Sequence, residues 1–265
     1  MASPAVVAPP SAQAPVLEAR GLRKEFAGFV AVDGVDLQVR EGSIHALIGP
    51  NGAGKTTTFN LLTRFLSPSA GSIVYRGRDI TRVPAAQVAD MGLVRSFQIS
   101  AVFASLTLRE NVLVALQRRD RSCRVFWRQG RINPETDQRI DALLAQVGLS
   151  ADANQLASGV SYGKRRALEI ATTLALEPDV LLLDEPTSGL GTEDVVRITG
   201  LIASLKGKKT VLMVEHNLSV VSSISDTITV LARGRKIAEG SFAEVSGNAD
   251  VMSAYIGSEA LEDHA

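Results

Sequence analysis

Hydrophobic and polar positions first alternate over short distances and then at helical spacing. Between residues 16 and 47, glycine and aspartate interrupt the apolar runs Val30–Val32 and Val35–Val39, which predict antiparallel strands. Ser43–Ile48 is a compact apolar run that leads directly into a glycine-rich turn. The next segment, Thr56–Leu66, predicts a helix because its apolar residues recur at helical spacing: Phe59, Leu62 and Phe65.

A second pattern begins near Gln98 and continues to about Gly159. Its amphipathic stretches, Leu106–Leu116 and Ile140–Val147, predict helices. We therefore expect a helical insertion over residues 99–160, with a small core of its own.

Helical and apolar segments then alternate to the end of the chain. The residues with helical spacing are 164–177 and 192–205, and the buried strands predicted after them are Val180–Leu183 and Thr210–Val214. Alternation of this kind indicates a mostly parallel sheet that helices cover on both faces.

Composition narrows the class of protein. The 265 residues are 45% hydrophobic and 21% charged, which is ordinary for a globular protein, and the net charge of zero gives no sign of nucleic-acid binding. Cys123 is the only cysteine, so an internal disulfide is excluded. No apolar stretch approaches the ~20 residues that span a bilayer. Residues 1–15 lack the features of a secretion signal, so we expect flexible tails at 1–15 and 258–265 around one folded unit, 16–257.

The glycine-rich turn carries the first candidate chemistry. Residues 49–56 fit the pattern G-x-x-x-x-G-K-[ST], with a predicted strand before them and a predicted helix after them. Lys55 can reach the β- and γ-phosphates of a nucleotide, and the Thr56 hydroxyl can ligate Mg²⁺. A turn that merely joins strand to helix is the alternative. Pattern and context together favour Mg-ATP, contacted by Gly49, Pro50, Asn51, Gly52, Ala53, Gly54, Lys55, Thr56 and Thr57.

Two acids follow the predicted strand Val180–Leu183. Ligands bind at the carboxyl ends of parallel strands, where Asp184 and Glu185 stand. Asp184 is a candidate Mg²⁺ ligand opposite Thr56, and Glu185 is a candidate base for the attacking water. The alternative is that the two carboxylates only open a loop and cap a helix.

Further segments, in their order along the chain, resemble the ATP-binding subunits of ABC transporters. Val160–Lys164 (VSYGK) is similar to the family's signature loop, and Gln98, in RSFQ, to its Q-loop. Ser188–Gly191 stands at the D-loop position, and Glu215-His216 resembles the H-loop. Phe26 matches the aromatic residue that stacks on adenine. The resemblance covers residues 16–257.

The resemblance implies a P-loop NTPase fold of ABC type. This is an α/β fold with a mostly parallel core sheet, an N-terminal antiparallel β subdomain and an inserted α-helical subdomain. It also implies a head-to-tail dimer, in which Ser161, Tyr162 and Gly163 of one chain face the γ-phosphate that the other chain holds. His216 would contact that phosphate, and Gln98 would contact Mg²⁺ or water. Taken singly, His216 would be structural and Phe26 a core residue.

Four positions depart from the family pattern. Tyr162 replaces a glycine and Lys164 a glutamine of the common signature. Gly191 stands where the D-loop usually ends in aspartate, which puts the usual contact across the dimer in doubt. Thr172 replaces an arginine that many relatives carry.

The motifs SYG and RSFQ and the ending VLARGRKIAEG…MSAYIG resemble one subgroup. It comprises the ATPases of branched-chain amino-acid importers and of their amide, urea and aromatic-acid relatives. This implies a second ATPase subunit, the same or different, two membrane permeases and, indirectly, a periplasmic binding protein, with no nucleic acid. The chain would lie on the cytoplasmic face of the bacterial inner membrane. Two alternatives stay open: a lipopolysaccharide-exporting ABC ATPase and a soluble ABC ATPase without a transport role.

A cluster of arginines surrounds Phe126 and Trp127 in the predicted helical insertion. It is either the solvated face of a helical hairpin or a surface that approaches anionic lipid headgroups. Its members are Arg118, Arg119, Arg121, Arg124, Arg128 and Arg131.

Overall fold

The structure is a computed structural model that describes residues 14–96, 102–119 and 133–262, with the backbone alone at 118–119 and 256–262. Gln98 and the side chains of the arginine cluster lie outside the described residues. The strands are β1 (Pro15–Phe26), β2 (Phe29–Arg40), β3 (Ile44–Ile48), β4 (Ala70–Tyr75), β5 (Arg78–Asp79), β6 (Leu93–Arg95), β7 (Val180–Asp184), β8 (Thr210–Val214), β9 (Thr227–Ala232) and β10 (Arg235–Gly240). The helices are α1 (Lys55–Leu62), α2 (Ala85–Asp90), α3 (Leu108–Arg119), α4 (Pro134–Gln146), α5 (Tyr162–Ala175), α6 (Thr192–Ala203), α7 (Leu218–Ile224), α8 (Phe242–Ser246) and α9 (Ala249–Glu262).

Two sheets form the framework. The first is antiparallel, in the order β2-β1-β4-β5, and the second follows the order β10-β9-β3-β8-β7-β6. Within the second sheet the strands from β9 to β6 are parallel, and β10 pairs antiparallel with β9. The predicted fold class, a mostly parallel core with an antiparallel N-terminal sheet, is confirmed.

The two predicted runs Val30–Val32 and Val35–Val39 belong to one strand, so the division between them was wrong. β2 passes through Gly34, whose φ is +68°, and shifts its register against β1 near Leu22. A bulge of this kind bends a strand without ending it.

The central parallel strands of the second sheet are fully buried. All five residues of β3, β7 and β8 are buried, which is expected when helices cover both faces. One face packs against α5, α6 and α7, and the other against α1 and the antiparallel sheet.

The helix after the glycine-rich turn is shorter than predicted. α1 ends at Leu62, and Arg64 adopts a φ of +61°, which directs the following chain away from the helix axis. Phe65, expected on the apolar face, is consequently 53% exposed.

The helical segment between β6 and α5 also differs from the expectation in one respect. The buried residues of α3 and α4 are continuous, through α5, with those under the second sheet, so the expected separate core is absent from the described residues. Backbone bonds close this segment: Ala157 N–H donates to Leu106 O at 2.9 Å and Leu108 N–H to Gln155 O at 3.0 Å. No helix in the described part of the chain is long and apolar enough to cross a bilayer.

Candidate functional site

Four neighbouring strands end at one edge of the second sheet. Leu47 of β3 and Asp184 of β7 both pair with Val214 of β8, and Arg95 of β6 pairs with Leu182. The loops that follow β3, β7 and β8 therefore leave the sheet side by side. They carry the predicted phosphate loop, the Asp184–Glu185 pair and His216, and the carboxyl edge of a parallel sheet is where ligands bind.

The phosphate loop packs tightly against its neighbours. A Cβ added to Gly49 would lie 2.1 Å from the Leu231 carbonyl oxygen, and one added to Gly54 would lie 2.6 Å from that of Ala31. Gly54 has a φ of +96° and begins α1 as its N-cap. Only glycine fits these positions, which leaves backbone N–H groups and the helix N-terminus available for an anion.

Lys55 is folded back onto the phosphate loop. Its ammonium donates to the carbonyl oxygens of Gly49 and Pro50 at 2.7 and 2.9 Å, and the residue is buried. Burial lowers the pKa of Lys55, while the negative charges of Glu185 and Asp184 oppose that effect. The structure thus brings Lys55 into the electrostatic field of both carboxylates.

Asp184 and Glu185 occupy different environments. Asp184 is 2% exposed, and its carboxylate accepts a hydrogen bond of 2.5 Å from the Arg95 guanidinium. Glu185 is partly exposed and adopts a φ of +45°, while its N–H donates to Val214 O at 2.9 Å. This left-handed conformation, costly for a residue with a Cβ, turns the chain sharply after β7.

These groups suit a divalent cation. Mg²⁺ prefers oxygen ligands, and the buried Asp184 carboxylate already holds the Arg95 guanidinium as a stand-in cation. Thr56, in the first turn of α1, carries a hydroxyl of the right type. The described residues contain no cluster of three His, Cys, Asp or Glu side chains, so a metal here would need oxygens from its ligand as well.

Three buried side chains support this edge, and the motif analysis assigned a role to none of them. Arg95 also donates to Asn60 of α1, which ties that helix to β7. Arg166 of α5 donates to the carbonyl oxygens of Asp184 and Glu185, both at 2.8 Å. The only sequence signal for these arginines is their position beside recognised motifs.

Glu215 is the third of these residues. It is fully buried and its carboxylate accepts four hydrogen bonds: from the N–H and hydroxyl of Thr187 at 3.0 and 2.6 Å, and from the N–H groups of His216 and Asn217 at 3.1 and 3.3 Å. The loops after β7 and β8 are therefore held together, and His216 itself is exposed at the edge.

The signature-like loop is built separately from the phosphate loop. Ser161 is the N-cap of α5, and its hydroxyl accepts from Lys164 N–H at 3.3 Å. Gly163 packs so closely on Asp194 of α6 that an added Cβ would lie 2.0 Å from its carboxylate. Tyr162 is 48% exposed. The loop thus presents a helix N-terminus to solvent.

Three further predicted positions can be located. Phe26 stands at the end of β1, where the Lys24 ammonium lies 4.9 Å from its ring centroid. Gly191 is the N-cap of α6, and an added Cβ would meet nothing within 4 Å. The absence of aspartate there has no structural explanation. Thr172 donates to Glu169 O at 2.9 Å and lines a cavity of about 900 Å³.

Comparison with known proteins extends these observations. The family model described as ABC transporter matches residues 32–188, and the one described as branched-chain amino acid ATP-binding cassette transporter matches residues 235–260. The chain is 40% identical to the high-affinity branched-chain amino acid transport ATP-binding protein LivG of Salmonella typhimurium, over 92% of this chain and 98% of that protein. BraF of Pseudomonas aeruginosa, which has the same description, is 39% identical over the same shares.

A more distant relative and two solved structures complete the comparison. The lipopolysaccharide export system ATP-binding protein LptB of Acidithiobacillus ferridurans is 34% identical over 91% of this chain and 97% of that protein. A nucleotide-free ATP-binding cassette from an ABC transporter superposes with a TM-score of 0.81, at 28% identity over 92% of this chain and 99% of that one. The ADP conformation of the cassette MJ1267 gives the same TM-score at 29% identity and the same coverage.

Proposed function

Since the chain belongs to the ABC transporter ATP-binding family, we propose that it is the ATP-hydrolysing subunit of an importer of branched-chain amino acids or of a related amide, urea or aromatic-acid solute. The proposed folded unit is residues 16–257 with the helical insertion at 99–160, although α9 continues to Glu262, so residues 258–262 are helical and not the flexible tail that we expected. In the assembled transporter it lies on the cytoplasmic face of the inner membrane, attached through the permeases.

One observation carries the ATPase assignment. The phosphate loop, the Asp184–Glu185 pair and His216 follow three strands that lie side by side and end at the same edge. A nucleotide whose phosphates lie in the loop would have its terminal phosphate directed at the two carboxylates, and Phe26 would stack on its base.

Each residue at this edge then has a distinct role. Lys55 exchanges its bonds to the loop carbonyls for the β- and γ-phosphate oxygens, and Thr56, Asp184 and Gln98 would hold Mg²⁺. When bound there, the ion would supply positive charge to stabilise the charge that develops on the phosphates. Glu185 accepts a proton from the attacking water, and His216 orients that water against the γ-phosphate.

A second subunit completes each site. The α5 N-terminus, with Ser161, Tyr162 and Gly163, faces solvent and has unpaired N–H groups of the kind that bind phosphate. In a head-to-tail dimer it would donate to the γ-phosphate held by the partner's phosphate loop. ATP therefore closes the dimer, and hydrolysis reopens it.

The cavity beside Thr172 is the proposed docking site for a helix of the permease. It lies between α2, β6, α3 and α5, and apolar side chains such as Phe103, 54% exposed, line it. Ala115→Trp should fill this cavity and prevent co-purification with the permeases. Ala243→Trp, on the exposed face of α8, is the matched control and should leave co-purification intact.

The importer subgroup is favoured over lipopolysaccharide export by two findings. Identity to the amino-acid transport ATPases is 39–40% against 34% to LptB, and the C-terminal residues 235–260 match the amino-acid subgroup model. The solute itself contacts the binding protein and the permeases. Reconstitution with both partners, followed by a search for the solute-loaded binding protein that stimulates hydrolysis, would identify it.

The ATPase assignment is tested by Glu185→Gln. This variant should bind Mg-ATP, lose turnover and accumulate as a closed dimer, because the water is no longer deprotonated. Dimer formation is measured by light scattering and turnover by phosphate release. Lys55→Ala should instead fail to bind the nucleotide and stay monomeric. Undiminished hydrolysis by Glu185→Gln would show that Glu185 is not the base.

A further inference from the structure

We propose that Arg95 is the countercation of the metal-binding carboxylate: it holds Asp184 in the nucleotide-free subunit and must release it when a magnesium nucleotide binds. The inference rests on the proposed function and assigns a positioning role to Arg95, the first residue of the RSFQ motif, to which the motif analysis gave no role. Arg95 ends β6 and is 9% exposed at its side chain, and Asp184 ends the adjacent β7 and is 2% exposed.

Burial makes a partner for Asp184 obligatory. A carboxylate that water cannot reach is costly unless a cation or a hydrogen-bond donor satisfies it. Within the described residues, the hydrogen bond that the Asp184 side chain accepts comes from Arg95 Nη2 at 2.5 Å. The ammonium of Lys55, the other nearby cation, instead donates to the carbonyls of Gly49 and Pro50.

The contacts of Arg95 suit a cation that can be displaced. Its Nη1 donates to Asn60 of α1, and its Cζ lies 5.9 Å from the centroid of the Phe59 ring. Its Nε is buried and has no hydrogen-bond partner among the residues that the structure describes. The guanidinium is therefore held mainly by its ion pair with Asp184. It lacks the full set of hydrogen bonds that a purely structural buried arginine is expected to make.

Charge makes the two bound states exclusive. A divalent ion held by Asp184, directly or through water, would approach the guanidinium at close range inside a buried site, where like charges repel strongly. Arg95 must therefore move when the metal arrives, and its bond to Asn60 links that movement to α1 and the phosphate loop. Breaking the Arg95–Asp184 ion pair therefore costs free energy that weakens Mg²⁺ binding.

The test compares Arg95→Met with the unmodified chain by thermal unfolding, first in EDTA and then with a non-hydrolysable ATP analogue over a range of Mg²⁺ concentrations. In EDTA the variant should lose about 5 °C or more in Tm, because Asp184 is left buried without its partner. With the analogue, its half-maximal Mg²⁺ concentration should fall by roughly fivefold or more, since no cation competes. Arg109→Met, which breaks two ion pairs with the exposed carboxylates of Asp137 and Asp141, is the control and should shift neither quantity appreciably.

Two further variants separate the possible outcomes. Arg95→Lys keeps the charge and should give an intermediate Mg²⁺ dependence even if Arg95→Met folds poorly. In EDTA, Arg95→Met should cost much less in an Asp184→Asn background than in the unmodified chain. A lower Tm with an unchanged Mg²⁺ dependence would reject the competition and leave Arg95 a structural residue. If the unmodified chain gains no stability from the nucleotide, the proposed function fails instead, while the EDTA comparison still tests the Arg95–Asp184 pair.

Discussion

Two glycines of the phosphate loop have the same sign of φ but different surroundings. Gly49 has a φ of +148° and the Leu231 carbonyl 2.1 Å from the position of an added Cβ, whereas Gly52 has a φ of +74° and nothing within 4 Å. We predict that Gly49→Ala lowers the free energy of unfolding by about 3 kcal/mol or more, since both strain and a backbone collision oppose the new methyl group.

Gly52→Ala is the matched control for that prediction. It introduces the strain alone, so it should cost only about 1–2 kcal/mol. Urea denaturation without nucleotide measures both variants. Equal losses would mean that the β9 backbone yields to the methyl group and that close packing does not fix the loop.

His45 makes the stability of the central strand depend on pH. It is buried in β3 with Nε2 2.8 Å from Thr229 Oγ1, and burial lowers its pKa to about 4. In the unfolded chain the His45 imidazole binds a proton near pH 6.5, whereas in the folded chain it does so only near pH 4. Stability therefore falls as the pH decreases through this window. The loss that His45 contributes at pH 5 should be about 2 kcal/mol.

The measurement is urea denaturation at pH 7 and pH 5. His45→Gln should remove this part of the pH dependence, because glutamine does not titrate in the window. His216→Ala, at an exposed histidine, should keep it. An unchanged slope in His45→Gln would show that carboxylates alone set the acid sensitivity.

At the scale of elements, α5 is fastened to the loop after β7 by one buried arginine. Arg166 pairs with Glu169 at 2.7 Å and donates to three consecutive carbonyls of Asp184, Glu185 and Pro186, the last at 3.3 Å. Arg166→Met should reduce stability by about 3–5 kcal/mol, because Glu169 would stay buried without its partner. It should also lower kcat more than it raises KM, because Glu185 loses its support.

A second ion pair with the same spacing provides the control. Arg197 and Asp194 of α6 also lie 2.7 Å apart, but both are about one-third exposed, so Arg197→Met should cost less than about 1 kcal/mol. The double variant Arg166→Met/Glu169→Met should recover part of the lost stability, because no unpaired carboxylate stays buried. Its kcat should remain as low as that of Arg166→Met. Recovery of both would mean that Arg166 acts only through packing.

The sequence predicted elements best where one residue pattern determined them. Thr210–Val214 has the same bounds in the structure, because a fully buried parallel strand is a continuous apolar run. β10 was not predicted as a strand, since its alternation of charged and apolar residues is weak and its pairing with β9 is tertiary. The end of α1 was misplaced because the left-handed Arg64 carries no sequence signal.

Sequence-based assignment of the site was limited in a similar way. The phosphate loop and the Asp184–Glu185 pair follow from local chemistry, and the family resemblance supplied His216. The contacts of Arg95 join residues 35 and 89 positions away along the chain, and only a folded structure brings such groups together.

At the scale of the whole molecule, the C-terminal helix reaches the phosphate loop. Burial raises the pKa of Tyr255 in α9, and an interaction of its hydroxyl with the Gly49 backbone opposes that rise. Tyr255→Phe should therefore weaken nucleotide binding by roughly fivefold, the value of about one hydrogen bond. Titration with a fluorescent nucleotide measures the affinity.

Tyr75→Phe is the appropriate comparison for Tyr255→Phe. Its hydroxyl hydrogen-bonds Asp179 at 3.4 Å, so the same chemical change is made at a position without contact to the loop. Nucleotide affinity should not change there. Equal affinities in both variants would indicate that α9 stabilises the fold without shaping the loop.

The buried Glu215 has a consequence for how the site opens. Its four bonds join Thr187, which follows the Asp184–Glu185 pair, to His216 and Asn217, so neither loop can leave the edge without exposing an unpaired charge. In hydrogen–deuterium exchange the amides of Thr187, His216 and Asn217 should exchange at one common rate, set by a single opening event. The loops after β7 and β8 therefore move as a single unit, and the buried Glu215 carboxylate sets how often that unit opens.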